Sequence, residues 1–250
     1  MQSAAELSIN TAAPMTPNKL RDRPLINWSK YAGILLLLGV LTAGGVFWIK
    51  NRLTKHEFTA DSTVKQFIIG NDVLDVPLNM TRFASQRDQA VLTQADLFMY
   101  WVDGSGFREA NRRVFLTPEG TKDLIFLTLS DRRMDFDMND RLEPIYSKLL
   151  SGAKQAGPAD LVLHEFRTGS GYDGEELVVS ASGQPLWVAR CQMAETMESP
   201  ICLRDIFAGT GLSLRYRFSR SLLPYWREIE QLVIAKRSQI LASGGGRGGT

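Results

Sequence analysis

The residues of this chain that could do chemistry are few, and a group of carboxylates comes first. Asp173, Glu175 and Glu176 are close in sequence, and two carboxylates can act as acid and base when their environments separate their pKa values. Such a pair would suit hydrolysis of a polymer. The histidines are only His56 and His164, and no nucleophile elbow accompanies them. We therefore predict neither a zinc site nor a Ser-His-Asp triad, and we assign no catalytic residue.

Two segments imitate known motifs. Residues 169–174 have G-x-G-x-x-G spacing, but Glu175 to Val179 continues as a strand that opens with two acids, whereas a dinucleotide site needs a helix there. The run 135–146 begins like a calcium loop, yet Asp140 stands where glycine is required and Tyr146 where a bidentate glutamate is required. We expect a hairpin loop and a helix cap, and no cofactor or metal.

Arginines beside aromatic residues are the candidates for contact with a partner. Net charge is only +2, with 29 basic and 27 acidic residues, so no overall basic field favours nucleic acid. Arginine and aromatic side chains together anchor many protein interfaces, and they also suit an anionic polymer or lipid headgroups. A merely solvated surface is the alternative. The candidate contact residues are Arg108, Arg112, Arg113, Arg215 and Arg217.

The chain has two cysteines, Cys191 and Cys202, whose spacing suits a bridge between neighbouring strands. If oxidised, the bridge would contribute about 2–3 kcal/mol, mainly by restricting the unfolded chain. A pair of buried thiols is the alternative. Disulfides persist in a periplasm and are rare in a cytosol, so the predicted bridge favours an extracytoplasmic domain.

One uncharged run, Tyr31 to Ile49, is long enough to cross a bilayer as a helix, since about 20 residues span its roughly 30 Å core. We predict a transmembrane signal anchor over 28–50 in contact with the lipid bilayer. A buried core helix would carry a polar stripe, which this run lacks, and a cleaved signal peptide would not resume its apolar character after the cut. The predicted membrane-interface residues are Trp28, Tyr31, Phe47 and Trp48.

The basic residues on either side of this run indicate only weakly which end of the predicted helix faces the cytoplasm. Four basic residues precede it and three follow it, so the cysteines supply the stronger indication of a cytoplasmic N-terminus and a periplasmic domain. Residues 1–27 are rich in Ser, Ala, Thr and Pro and predict a disordered cytoplasmic tail. Residues 243–250 predict a flexible, glycine-rich tail.

The intervening residues, 56–242, predict an α+β domain that is mostly antiparallel sheet. Thr63 to Ile69 and Val73 to Val76 flank a turn and read as a hairpin. Further strands are predicted at 96–102, 123–130, 161–166, 176–180, 186–191, 201–204 and 212–218. Apolar residues at helical spacing predict helices over 138–150 and, closing the domain, 221–241, the latter capped by Ser221.

Three segments carry a resemblance to a family. Asp75 to Phe83, Cys202 to Ile206 and Gly211 to Phe218 are similar to sequences of uncharacterised single-span envelope proteins of alphaproteobacteria. The resemblance covers roughly 67–233 and implies a bacterial inner-membrane protein, but no reaction. We therefore predict a membrane-anchored periplasmic binding or scaffolding module with an envelope protein partner. The alternative is an envelope hydrolase that uses the carboxylates named above.

Overall fold

A computed structural model describes residues 44–45, 58–195 and 197–241. The domain begins with a hairpin of β1 (Val64–Ile69) and β2 (Asp72–Pro77), which pair antiparallel from Val64↔Pro77 to Ile69↔Asp72. Gly70 turns the chain at φ +58°, a conformation that glycine adopts without steric cost. The hairpin predicted from the sequence is confirmed.

The remaining strands form one eight-stranded antiparallel sheet with the order β3-β4-β10-β9-β8-β7-β6-β5. Strands such as β9 and β10 alternate buried and more exposed residues, because one face of the sheet lies on the core. They are β3 (Gln94–Tyr100), β4 (Leu124–Asp131), β5 (Leu150–Ala156), β6 (Leu161–Phe166), β7 (Glu175–Ser180), β8 (Val188–Gln192), β9 (Ile201–Ala208) and β10 (Leu212–Ser219). The α+β class and the mostly antiparallel sheet are confirmed.

Within residues 58–195 and 197–241 there are three α-helices: α1 (Ala84–Arg87), α2 (Arg112–Leu116) and α3 (Trp226–Leu241). Helix α3 closes the domain and buries Trp226, Ile229, Val233 and Ile240 in the main core. The same core contains the inward residues of β10, which covers the strand predicted at 212–218. The amphipathic C-terminal helix is thus confirmed.

The start of that helix differs from the prediction. Residues Arg220–Tyr225 form a 3-10 helix, with Pro224 inside it, and the α-helix begins only at Trp226. The cap is Ser219 rather than Ser221, since the Ser219 side chain accepts a hydrogen bond from the backbone N–H of Ser221. Proline lacks an N–H donor, which suits this tighter entry turn.

The prediction of a helix over 138–150 is wrong. The segment consists of turns that end in a 3-10 helix, Tyr146–Leu149, and it runs directly into β5. Pro144 removes a backbone donor in the middle of the segment, and the apolar side chains pack without regular helical geometry. Strand β5 was missed because its residues after Leu150 are all exposed and carry no alternating pattern.

Two surface segments cover parts of the outer face, which is the face turned away from the main core. The helical cap, residues 107–123, packs Phe107 and Phe115 against Phe98 of β3. The loop cap, residues 132–149, packs Met138 and Tyr146 against β7 and β8. Strands β4, β10 and β9 lie between β3 and these strands in the sheet order. Outward residues of β4 and β10 such as Thr128, Arg215 and Arg217 are partly or fully exposed, so part of their outer face is accessible.

Several predictions lie outside the described residues. They are the cytoplasmic tail 1–27, the anchor 28–50 apart from Gly44 and Gly45, the interface residues Trp28, Tyr31, Phe47 and Trp48, and the tail 243–250. His56 lies outside them too. In the part of the chain that the structure describes, no helix is long and apolar enough to cross a membrane.

Candidate partner-binding site

The three carboxylates considered for catalysis do not converge. Glu175 and Glu176 are neighbours on β7, and successive strand residues point to opposite faces of a sheet. Glu175 pairs with Arg190 at 3.3 Å, whereas Glu176 is buried and pairs with Arg220. Asp173 accepts a hydrogen bond from the backbone N–H of Gly169 at 2.9 Å. Each acid therefore has a structural partner, and the three form no facing pair.

Burial changes the acidity of one of these groups. Desolvation raises the pKa of Glu176, and the nearby Arg220 guanidinium opposes that rise. The carboxylate lies on the core side of the sheet at 5% side-chain exposure, where a polymer cannot reach it. The raised pKa of Glu176 therefore reflects the burial of a carboxylate that forms a structural ion pair, and it does not mark an acid poised for catalysis.

The two motif-like segments have structural roles. Residues 169–174 lie in the loop between β6 and β7, and Gly169, Gly171 and Gly174 all have positive φ. The Asp137 carboxylate accepts hydrogen bonds from the backbone N–H groups of Asn139 and Asp140, as in an Asx turn. Within the described ranges, no group of three or more His, Cys, Asp or Glu side chains is arranged to hold a metal ion.

Cys191 and Cys202 form the predicted disulfide between β8 and β9, with their Cα atoms 4.0 Å apart. The strands pair only at this position and at Arg190↔Leu203, so their ladder is the shortest in the sheet as described. The disulfide thus joins the two halves of the sheet where few backbone hydrogen bonds do so.

Beyond that short ladder, Arg204 fills the gap between the strands. Its guanidinium donates to the carbonyl oxygen of Val188 at 2.8 Å and to Oδ1 of Asn139 at 2.7 Å. It also pairs with Glu230 of α3 at 3.1 Å. These contacts connect sheet, loop cap and helix, and the sequence carries no spacing signal that predicts them.

On the accessible part of the outer face, one hollow has an apolar floor; we call it the Phe126 cleft. It has a volume of about 360 Å³ and lies between β4, β10 and the helical cap. Leu124, Phe126 and Ile201 line it together with Pro118 and Pro200. These side chains offer an apolar surface large enough for a side chain of a partner.

Cations border this apolar floor. The guanidinium carbon of Arg82 lies 5.0 Å from the ring centroid of Phe126, and that of Arg217 lies 5.9 Å from it. Both distances are within the range of cation–π attraction, and Lys122 also lines the cleft. Among the described residues, no carboxylate pairs with any of these three cations.

A second, more polar hollow adjoins the same two strands; we call it the Arg215 cleft. Its volume is about 480 Å³, and Arg215, Arg132 and Arg133 line it beside hydroxyl side chains such as Ser130 and Ser213. Arg215 is exposed, and although Asp131 and Asp205 also line this cleft, Arg215 forms no ion pair with an acid of the described residues. The two clefts together place the predicted contact residues Arg215 and Arg217 on one accessible face.

The other predicted contact residues belong to the helical cap. Arg108 is paired with Asp103 at 2.6 Å, and Arg112 is paired with Glu109 at 3.3 Å, so both charges are compensated locally. Arg113 is exposed. None of the three lines either cleft. Whether they touch a partner stays a prediction.

Arg82, Lys122 and Phe126 were missed by sequence reasoning. Phe126 lies within a predicted strand, where an aromatic residue reads as core, and its half-buried position on the outer face depends on which residues cap the sheet. Arg82 and Lys122 come from distant parts of the chain. Alternation along 123–130 could have placed Phe126 opposite Leu127, but no local signal brings the cations to it.

No protein-family model matches the sequence, and no curated protein is significantly similar to it. An immunity protein of the Stenotrophomonas maltophilia type IV secretion system aligns with a TM-score of 0.47 and 12% identity, over 72% of this chain and 93% of its own. The Neisseria meningitidis iron-regulated outer membrane lipoprotein FrpD aligns with a TM-score of 0.44 and 11% identity, over 73% of this chain and 96% of its own. Neither likeness identifies a ligand, partner or reaction for this chain.

Proposed function

We propose that this protein is a single-pass protein of the bacterial inner membrane whose periplasmic domain binds or scaffolds an envelope protein and performs no reaction. Residues 28–50 would anchor it, with the tail 1–27 in the cytoplasm. The Cys191–Cys202 disulfide supports an oxidising compartment for the domain. The resemblance of three segments to alphaproteobacterial envelope proteins supports the same location.

The observation that carries the binding role is the accessible outer face of β4 and β10. It combines an apolar floor at Phe126 with the cations Arg82, Arg215 and Arg217, none of which is paired with an acid of the described residues. Unpaired arginines beside an aromatic ring are typical anchors of protein interfaces. A charge left without a partner in the free protein can gain one on binding.

Photocrosslinking in intact cells tests this proposal. A photoreactive phenylalanine analogue replaces Thr121, an exposed residue that lines the Phe126 cleft, in the full-length protein. The matched control carries the analogue at Ala153, an exposed residue of the outermost strand β5. We expect light to produce a discrete protein adduct from position 121 and none from position 153.

The adduct also reports where the domain is. Mass spectrometry of the crosslinked band is expected to identify an envelope protein or the periplasmic part of one. If position 121 gives no adduct, or if both positions give the same adducts, the outer face is not a specific binding surface and the proposed function is wrong.

A further inference from the structure

The spacing of two arginines along β10 carries an inference about the partner. Arg215 and Arg217 are alternate residues of one strand, so their side chains leave the same face about 6.7 Å apart. Alternate side chains of an extended peptide have the same spacing. Two carboxylates at positions i and i+2 of a bound segment would therefore meet the two guanidinium groups together.

Three acids lie near Arg215, and none of them forms an ion pair with it: Asp131 lines the same cleft, and Asp205 and Asp96 are already engaged. Asp205 is directly opposite Arg215 on β9, but its carboxylate pairs with Arg141. Across β4, the hydroxyl of Thr128 donates to Asp96 at 2.9 Å, and that carboxylate also accepts from two glutamine side chains. These bonds direct both acids toward partners other than Arg215. The arginine thus stays available for an acid from another chain.

The Phe126 cleft adds an apolar requirement at one end of this pair. Arg217 lines the cleft, whereas Arg215 lines the polar hollow on its other side. An apolar side chain that follows the second carboxylate by two residues would reach the floor formed by Phe126, Leu124 and Ile201. Arg82 would then lie beside that side chain and stack on Phe126 from 5.0 Å.

We propose that the outer face holds an extended acidic segment of the partner protein. Acids at alternate positions face Arg215 and Arg217, and an apolar side chain two residues further enters the Phe126 cleft. This inference rests on the proposed function, because it names the chemistry of the partner at the same face. Charge complementarity and the strand spacing favour a peptide, since a lipid headgroup offers no row of carboxylates at this repeat.

A binding measurement with a defined peptide tests this inference. The probe is a fluorescein-labelled peptide, Leu-Ser-Asp-Ser-Asp-Ser-Leu, which reads the same in both directions and so fits either strand orientation. Full-length protein in phosphatidylcholine nanodiscs is titrated at low salt, and fluorescence anisotropy is recorded. Two control peptides replace both aspartates by asparagine or both leucines by serine. We expect each control to bind at least about tenfold more weakly.

Variants locate the bound peptide. The double variant R215E/R217E is expected to lose the acidic peptide and to bind Leu-Ser-Lys-Ser-Lys-Ser-Leu, which the native protein rejects. Both positions are on the sheet surface, so circular dichroism should show an unchanged fold. The matched control is K154Q on β5, which removes an exposed cation roughly 24 Å away across the sheet and should leave binding unchanged.

Three outcomes would overturn the inference. The acidic peptide fails to bind, or R215E/R217E binds it as the native protein does, or phosphatidylglycerol vesicles bind at the same arginines and displace it. In each case a crosslink from position 121 in cells would still support the proposed function. Conversely, peptide binding in vitro without any crosslink in cells would leave the chemistry of the face established and the proposed function wrong.

Discussion

The guanidinium of Arg204 on β9 holds the carboxylate of Glu230 on α3 through two hydrogen bonds, each 3.1 Å long. The side chains are 3% and 14% exposed, so the pair lies within the core. Trp187 donates to the same carboxylate at 3.0 Å, and the hydroxyl of Tyr216 donates to it as well. Burial and the neighbouring Glu230 charge raise the pKa of Tyr216 well above its ordinary value, so the phenol stays a donor.

This arrangement predicts a large loss of stability in the variant E230Q. Glutamine keeps the shape of the side chain but leaves the buried Arg204 guanidinium without a countercharge. We expect the free energy of unfolding to fall by about 3–5 kcal/mol. Urea denaturation of the native protein and the variant, followed by tryptophan fluorescence, measures the change.

A double-mutant cycle with R204M distinguishes the ion pair from a mere loss of packing. The charge left uncompensated by E230Q is absent from R204M/E230Q, so the double variant should lose less stability than the two single changes added together. We expect the difference to exceed about 1 kcal/mol. Strict additivity would contradict the coupling described above.

Much of the fold could be predicted from the sequence, because alternation and helical periodicity are local. Alternation along β10 predicts its inward residues, which are Leu212, Leu214, Tyr216 and Phe218. Helical periodicity of the apolar residues likewise predicts α3. The segment 138–150 has helical spacing as well, but its apolar residues fill the space over β7 and β8 and Pro144 interrupts the backbone bonds. Tertiary packing decided the local structure there.

The disulfide supports a prediction about stability. Replacing both cysteines by alanine should lower the free energy of unfolding by about 2–3 kcal/mol, because the bridge closes a short loop in the unfolded chain. The native protein in reductant should approach the stability of the double variant, while the variant should not respond to reductant. Denaturation curves with and without dithiothreitol measure both. An equal response of the two proteins to reductant would contradict this prediction.

Replacing glycine by alanine should have different effects on stability at Gly106 and at Gly211. A Cβ at Gly106 would lie 2.4 Å from the carbonyl oxygen of Asn79. The same oxygen accepts a hydrogen bond from the backbone N–H of Phe107 at 2.8 Å. A Cβ at Gly211 would meet Asp72 at 3.7 Å, an ordinary contact. We expect G106A to lower the free energy of unfolding by about 1–3 kcal/mol and G211A to change it little. Thermal unfolding measures the stability of both variants, and equal melting temperatures would contradict the prediction.

His164 predicts a pH dependence of stability. Burial lowers the pKa of this imidazole, and the nearby Lys154 lowers it further. The unfolded chain, with a pKa of about 6.5, then binds a proton before the folded protein does. The free energy of unfolding should therefore fall as pH decreases from about 6.5 through the lower pKa of the folded state.

The variant H164Q isolates that effect. It should flatten the profile below pH of about 6.5 relative to the native protein, whereas other titrating groups act equally in both. Urea denaturation at a series of pH values gives the two profiles. If they stay parallel throughout this range, His164 does not contribute.

The candidate site was less predictable than the fold. Arg215 and Arg217 were recognised as arginines beside aromatic residues within a predicted strand. Arg82 and Lys122 reach the same cleft from separate connections, and Phe126 is accessible only because the two caps leave β4 and β10 between them. Such proximity depends on the order of the strands in the sheet, which local sequence patterns do not predict.

Removal of the predicted anchor tests the membrane part of the proposed function. The native chain should remain with the membrane pellet after alkaline carbonate extraction, because about 20 apolar residues in a bilayer are not displaced by high pH or salt.

A variant in which a cleavable periplasmic signal peptide replaces residues 1–50 should reach the soluble periplasmic fraction. In this variant, Cys191 and Cys202 should resist alkylation in denaturant until reductant is added. The control is a variant that keeps residues 1–50 and carries alanine at both cysteines. It should stay in the pellet, since the anchor acts independently of the bridge. Free thiols that label without reductant in the native chain would place the domain in a reducing compartment and contradict the periplasmic location.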